Sequence, residues 1–265
     1  MAKIIPSVKR AFDILGLFLG GAQSVSVPQI TKTLGMPRTT AHDLVNTLLE
    51  SGYLERDETL SNHFRLGLRA FELGSVYASR LDITEEGLHV ARKITQACDE
   101  TVQVAILDGT DAVFIIRVDS SRALRLVSEV GSRLYAHCTA VGKMLLSGLT
   151  DEELAMLYKG KHRLTSMTTN SLSTFTDLMK ELNTIRERGY AYDNCESNED
   201  AICVAAPIYN IANRMCAAIS ITVPVTRMKK SRKKSLLTMV QQGAEDLTRK
   251  MGGGSNLKAV ARHLY

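Results

Sequence analysis

Residues 26–52 constrain the fold more tightly than any other stretch of this 265-residue chain. Ser26-Val27-Pro28-Gln29 fits a capping box with proline in the first turn, where its missing N–H costs nothing. The helix it opens is short, because Gly35 supplies a left-handed stop, and Met36-Pro37 then starts a new helix. In that helix Ala41, Leu44, Val45, Leu48 and Leu49 recur at helical spacing as one apolar stripe. The opposite face carries Arg38, Thr39, His42, Asp43 and Asn46, and Gly52 ends the segment. A short helix, a glycine-containing turn and a second helix with a polar outer face predict a helix-turn-helix. Its second helix would enter a DNA major groove, N-terminal residues nearest the base edges. Arg38 suits a phosphate or guanine and Asn46 an adenine, while Thr39, Thr40 and His42 have the size for phosphate or base contacts.

The flanking segments extend this unit. Val8, Ala11, Phe12, Leu15 and Leu19 predict a helix over 7–19 that ends at Gly20-Gly21. Two short strands, Tyr53–Arg56 and His63–Leu66, enclose a hairpin loop over 57–62. A hairpin directly after a recognition helix reads as a wing, with Asn62, His63 and Arg65 along the sugar–phosphate backbone. From Gly67 to Ser79, Leu68, Ala70, Phe71, Leu73, Val76 and Tyr77 give a helix with no polar half. Such a helix needs cover, and packing against a second copy of itself would provide it.

Beyond residue 83 the pattern changes to strands mixed with helices. A helix to about Asp99 precedes strands at 101–107, 112–118 and 124–130. Helices follow at 139–146 and 151–158, then one capped by Ser173 or Thr174 and closed by Gly189. Strands at 190–192, 202–208 and 217–223 lead to a last helix over about 231–250. Strands in meander order flanked by helices predict an α+β domain, not a doubly wound one.

Charge and cysteine usage narrow the function classes. The formal charge of +5 divides into +2 over residues 1–80, −5 over 81–223 and +8 over 224–265. The basic run at Arg227–Lys234 resembles a nucleic-acid patch, but reads more simply as the solvated start of the last helix. Five widely spaced cysteines with no Cys-x-x-Cys pair argue against a disulfide framework or zinc knuckle. No apolar run approaches membrane-span length and no signal-like stretch opens the chain, so a cytoplasmic protein is expected. The second domain contains no phosphate loop, nucleophile elbow or His-Glu-x-x-His pair. His137 beside Cys138, read as a strand, would point to opposite faces and form no catalytic pair. Ser220 and Thr222, two apart on a strand, share one face.

Four phrases in the second domain resemble the IclR family of bacterial transcription regulators. They are residues 134–143 (LYAHCTAVGK), 188–193 (RGYAYD), 202–208 (ICVAAPI) and 218–224 (AISITVP), in the family's order and spacing over about 5–251. The resemblance implies a winged helix-turn-helix over 1–67, a linker helix over 68–83 and a GAF-like effector-binding domain over 84–251, with a tail over 252–265. It implies homodimers, or dimers of dimers, on palindromic double-stranded DNA operators. Most such proteins are repressors of catabolic operons that respond to a small carboxylate or sugar-derived metabolite. Asp193, Cys203, Ser220 and Thr222 would line the polar side of the effector pocket. The Ala140 and Val141 amides would meet a ligand carboxylate at a helix N-terminus, a favourable place for an anion. No enzymatic activity, cofactor, metal or membrane partner is expected.

The sequence also departs from the family's pattern. Asp43 stands where many relatives carry arginine, so no contact is carried over there and its carboxylate would repel phosphates. Thr222 replaces the commoner serine, and Ser197-Asn198-Glu199-Asp200-Ala201 lacks the glycine relatives often have. Leu257, Val260, Ala261 and Leu264 would suit a short amphipathic helix in the tail, though a frayed end is simpler. Three other readings stand beside the repressor: an activator of the same family, a metal sensor using Cys203, Cys138 and Asp193, and a small-molecule enzyme with an added DNA-binding domain.

Overall fold

The computed structural model describes residues 4–19, 21–79, 83–122 and 129–253. The chain divides into two compact units, 1–81 and 82–265. In the first, α1 (Pro6–Leu19) precedes a two-residue strand β1 (Val25–Ser26), α2 (Val27–Leu34) and α3 (Arg38–Glu50). The Ser26 backbone N–H and hydroxyl both donate to Gln29 Oε1, and Gly35 takes the left-handed conformation at φ 63°. These local devices hold α2 to eight residues and turn the chain into α3.

The wing strands β2 (Leu54–Arg56) and β3 (His63–Leu66) pair antiparallel as the alternation predicts. β1, absent from the sequence reading, adds to the far side of β3 to give the order β1-β3-β2. Ala41, Val45 and Leu48 of α3 pack with Ile14, Ile30, Leu54 and Phe64 in one core. The stripe expected on α1 is only partly inside. Ala11 and Leu15 are half-buried, whereas Val8, Phe12 and Leu19 are exposed, Phe12 by 65%, and the residue fully buried is Ile14, which that stripe did not include. The helix therefore has two apolar faces, and its own unit covers one. On α4 (Leu68–Ser79), Leu68, Phe71, Leu73 and Val76 are likewise exposed.

The second unit is built on a six-stranded antiparallel sheet. Its strands are β4 (Thr101–Asp108), β5 (Asp111–Val118), β6 (Arg133–Tyr135), β7 (Ala191–Asn194), β8 (Ala201–Tyr209) and β9 (Met215–Pro224). The order is β6-β5-β4-β9-β8-β7, so the expected meander is corrected: two meanders are joined through their long strands β4 and β9. Pairing these strands satisfies the backbone groups of both, which sequence neighbours alone would leave open. Of the strand expected over 124–130, residues 124–128 lie outside the described residues, and Glu129 and Val130 are not extended in a strand. The suggested tail helix also falls outside them.

Helices cover both faces of the sheet. α5 (Ile83–Cys98) and α9 (Lys230–Lys250) pack together and against β4, β8 and β9. On the other side α6 (Ala140–Ser147) lies over β4, β7, β8 and β9, with α8 (Phe175–Arg188) outside it and α7 (Asp151–Leu157) in the same core. Thr174, rather than Ser173, caps α8 through its side chain, and Gly189 ends it at φ 77°. A second correction concerns residues 136–138. They form a 3-10 turn, not strand, because β6 stops at Tyr135 and the chain must tighten to enter α6.

Candidate functional site

Two sets of residues were singled out in the sequence, one in each unit. In the first unit, Arg38, Thr39, His42 and Asn46 are exposed on α3 and Thr40 is half-buried. The Asn46 side-chain amide lies 3.2 Å from His42 Nδ1, one helical turn away, which orders both. In the wing, Asn62 is exposed with φ 58°, a conformation that asparagine tolerates better than most residues. His63 and Arg65 are half-buried on β3. His63 Nδ1 is 3.1 Å from the Ser61 carbonyl, and Arg65 Nε donates to Glu55 Oε1 across the hairpin at 2.7 Å. Asp57 Oδ1 accepts from the Thr59 and Leu60 N–H groups and the Thr59 hydroxyl, which fixes the loop and holds its carboxyl below the usual range. Arg56, not singled out in the sequence, is exposed on β2 and lies over the Phe64 ring.

The second set converges on a cavity of about 270 Å³ between the sheet and the start of α6. Strand register does much of the gathering. Asp193 pairs with Cys203, Cys203 with Thr222, and Ser220 with Gln103. Cross-strand partners share a face, so residues up to 119 positions apart become neighbours. Ala140 and Val141 come from α6, whose Thr139 cap accepts from the Gly142 N–H at 3.0 Å. The first-turn N–H groups of Ala140 and Val141 have no acceptor within the helix. All six residues expected in the pocket line this cavity.

Its other lining residues escaped the sequence reading. Gln103 was detectable as a polar residue within the apolar run of β4. Met167, Ser197 and Asn198 lie outside regular elements, where no periodicity marks them. Phe114 and Leu134 supply apolar wall from β5 and β6.

The polar end is organised by Asp193. Its Oδ1 accepts from the Glu196 N–H at 2.6 Å and the Ser197 N–H at 3.3 Å, and its Oδ2 accepts from the Ser197 hydroxyl at 2.5 Å. Burial pushes the Asp193 carboxyl above the usual range, against the pull of these donors and of Lys143. Thr222 Oγ1 donates to Gln103 Oε1 at 3.2 Å and is 3.3 Å from Cys203 Sγ. Burial and the adjacent Asp193 drive the Cys203 thiol well up, so it is protonated and a poor nucleophile.

His137 and Cys138 form no nucleophile–base pair. His137 Nε2 is 2.9 Å from the Thr165 carbonyl and Cys138 Sγ is 3.7 Å from the same oxygen. Both are buried, which lowers the His137 pKa and raises that of Cys138. Among the described residues, no group of three or more His, Cys, Asp or Glu side chains is placed to hold a metal ion. No helix among them is long and apolar enough to cross a membrane.

A winged helix-turn-helix followed by an α+β unit around a polar-ended cavity defines a class, the ligand-responsive DNA-binding transcription regulators. Family comparison gives the member of that class. Residues 7–58 match the IclR helix-turn-helix domain, and residues 75–249 match the bacterial transcriptional regulator IclR C-terminal domain. The chain belongs to the IclR family, whose members are transcriptional regulators rather than enzymes. It is 32% identical over 249 residues to the HTH-type transcriptional regulator XynR of Escherichia coli, covering 94% of this chain and 98% of that protein. With the transcriptional repressor IclR of Escherichia coli it shares 28% identity over 253 residues, 94% of this chain and 91% of the relative. The crystal structure of Thermotoga maritima IclR superimposes with a TM-score of 0.74 at 28% identity, covering 93% of this chain and 98% of that one.

Proposed function

We propose that this protein is a homodimeric repressor of a catabolic operon in the bacterial cytoplasm, released from a palindromic operator by a small carboxylate metabolite. One observation carries the effector reading: the polar residues of β7, β8 and β9 and the N-terminus of α6 face one cavity. At about 270 Å³ it lies just below the roughly 300–1,000 Å³ usual for ligand pockets, which suits a compact metabolite. An anionic group is favoured at the Ala140–Val141 amides, where the helix dipole and two N–H donors without an acceptor in the helix coincide. Ser220, Thr222 and Gln103 then offer hydrogen bonds to the ligand's other end.

On the DNA side, Thr39, Thr40, His42 and Asn46 of α3 face the major groove, Arg38 at the flank of that helix meets a phosphate, and Asn62, His63 and Arg65 of the wing follow the backbone. Arg65 exchanges Glu55 for a phosphate on binding. A second copy of the chain covers the exposed apolar residues of α1 and α4, and two-fold symmetry calls for two inverted half-sites. Relatives named as repressors support the sign of regulation, among them the acetate operon repressor of Salmonella typhimurium, 30% identical over 253 residues.

Footprinting tests the reading directly. Purified protein is incubated with the DNA flanking its own gene, alone and with a panel of small carboxylates. A protected palindrome released by one compound is the expected result. Protection that persists or shifts with every effective ligand would replace repression by activation. Absence of protection at moderate salt would overturn the operator assignment.

A further inference from the structure

We propose that Asp43 is a base-reading residue, accepting a hydrogen bond from the exocyclic amino group of a cytosine in each half-site. The inference rests on α3 being the recognition helix. At about 100° per residue, Asp43 projects within about 15° of the direction opposite the Ala41–Val45–Leu48 stripe. Thr39 and Asn46 flank it on the same outward row, whereas Arg38 lies roughly 140° round the helix from it, toward the flank. The Asp43 side chain is 82% exposed. Among the described residues the His42 ring, 3.9 Å away, is the one basic group within ion-pair range. Among the described residues no lysine or arginine pairs with the carboxylate.

A groove-facing carboxylate meets a restricted choice. It is an acceptor only. Guanine offers two acceptors in the major groove, thymine an acceptor and a methyl, and adenine an acceptor beside its amino group. Cytosine alone presents a donor with no adjacent acceptor of its own. Residues 1–80 hold nine basic against seven acidic residues, a weak surplus for phosphate binding, and phosphate contacts position a protein without reading the sequence. The outward placement thus reverses the expectation that Asp43 would merely repel the duplex.

Selection from randomised duplex DNA, with full-length protein and its Asp43→Ala and Asp43→Asn variants, tests this. The unaltered protein should enrich half-sites with one invariant cytosine, and replacing that base should weaken binding about 5- to 150-fold. Asp43→Ala should make that one position degenerate and leave the rest of the motif intact. Asp43→Asn should shift it toward adenine. An unchanged motif for Asp43→Ala would overturn the proposal, as would uniform tightening on every sequence, the mark of a purely repulsive charge. Failure of the unaltered protein to enrich any motif would instead overturn the assignment of α3 as the recognition helix.

Discussion

Lys143 of α6 and Glu196 of the β7–β8 loop form a buried ion pair, with the ammonium 2.6 Å from both carboxylate oxygens. Their side chains are 2% and 8% exposed. Glu196 is also the residue whose N–H binds Asp193, and its carbonyl accepts from Thr168 and Ser171. The pair therefore ties the helix that starts at the cavity to the loop that supplies Ser197 and Asn198. Burial pushes the Glu196 carboxyl up while Lys143 pulls it down.

Removing one partner takes from the other its nearest counterion inside a buried site. Lys143→Met is expected to destabilise the second unit by about 3–5 kcal/mol, and Glu196→Gln by somewhat less because Glu181 remains 3.9 Å from the ammonium. Urea unfolding of each single variant and of the double variant checks this. The double variant should recover part of the loss. Strictly additive losses would show that the two groups do not act as a pair.

Gly142 is fixed by space rather than by backbone angle. A Cβ there would lie 2.3 Å from both Cα and the carbonyl oxygen of Ala136. Gly142→Ala must push the 3-10 turn away from α6, at a cost of about 1–3 kcal/mol or more. Thermal unfolding reads the loss, and an unchanged Tm would mean that the turn yields freely.

His137 gives the acid limb of stability a defined sign. It is buried, its Nε2 serves the Thr165 carbonyl, and its Nδ1 has no partner, so burial depresses its folded pKa. A base with a depressed folded pKa contributes stability that is present above the unfolded value of about 6.5 and is lost as pH falls through the folded value. His137→Gln should flatten the decline below pH 6.5 by at most one proton, about 1.4 kcal/mol per pH unit. Identical stability–pH slopes for the two proteins would place the acid sensitivity elsewhere.

Ser220→Ala combined with Thr222→Ala removes two hydroxyls from the cavity wall without touching the first unit. Operator affinity should stay the same while release by the effector is lost. Gel shifts with and without the compound found by footprinting check both halves, and a fully inducible double variant would discard the pocket assignment.

Arg38 lies toward the flank of α3, which favours a phosphate over a base. Arg38→Ala should weaken binding by a similar factor on all sequences and reduce the salt slope by about 1. Loss confined to one base position would make Arg38 a base reader instead.

Local devices written into short stretches proved legible. Gly35 and Gly189 stop helices in the left-handed conformation, Thr174 caps α8, and the Ala41–Val45–Leu48 stripe is the buried face of α3. Each depends on residues within a turn or two, so a reader of the sequence has all the participants in view. Strand alternation put Ser220 and Thr222 on one face, and the four phrases resembling IclR proteins joined Ala140, Val141, Asp193 and Cys203 to them as candidate pocket residues. Exposure of Phe12 and Phe71 shows the limit of that reading, because an apolar stripe does not say which surface will cover it.

Tertiary structure decided what depends on long-range pairing. That β9 returns to lie beside β4, that β1 joins β3, and that Gln103 faces Thr222 across 119 residues follow from register between distant strands. A single-residue slip would turn each such side chain to the opposite face. Met167, Ser197 and Asn198 reach the cavity from irregular segments whose course is set by the Asp193 and Glu196 hydrogen bonds, not by any repeating pattern. The sequence determined the helices, their ends and the chemistry available. Which of those groups meet was left to the packing of the sheet, because a contact between remote residues forms only where the whole register allows it.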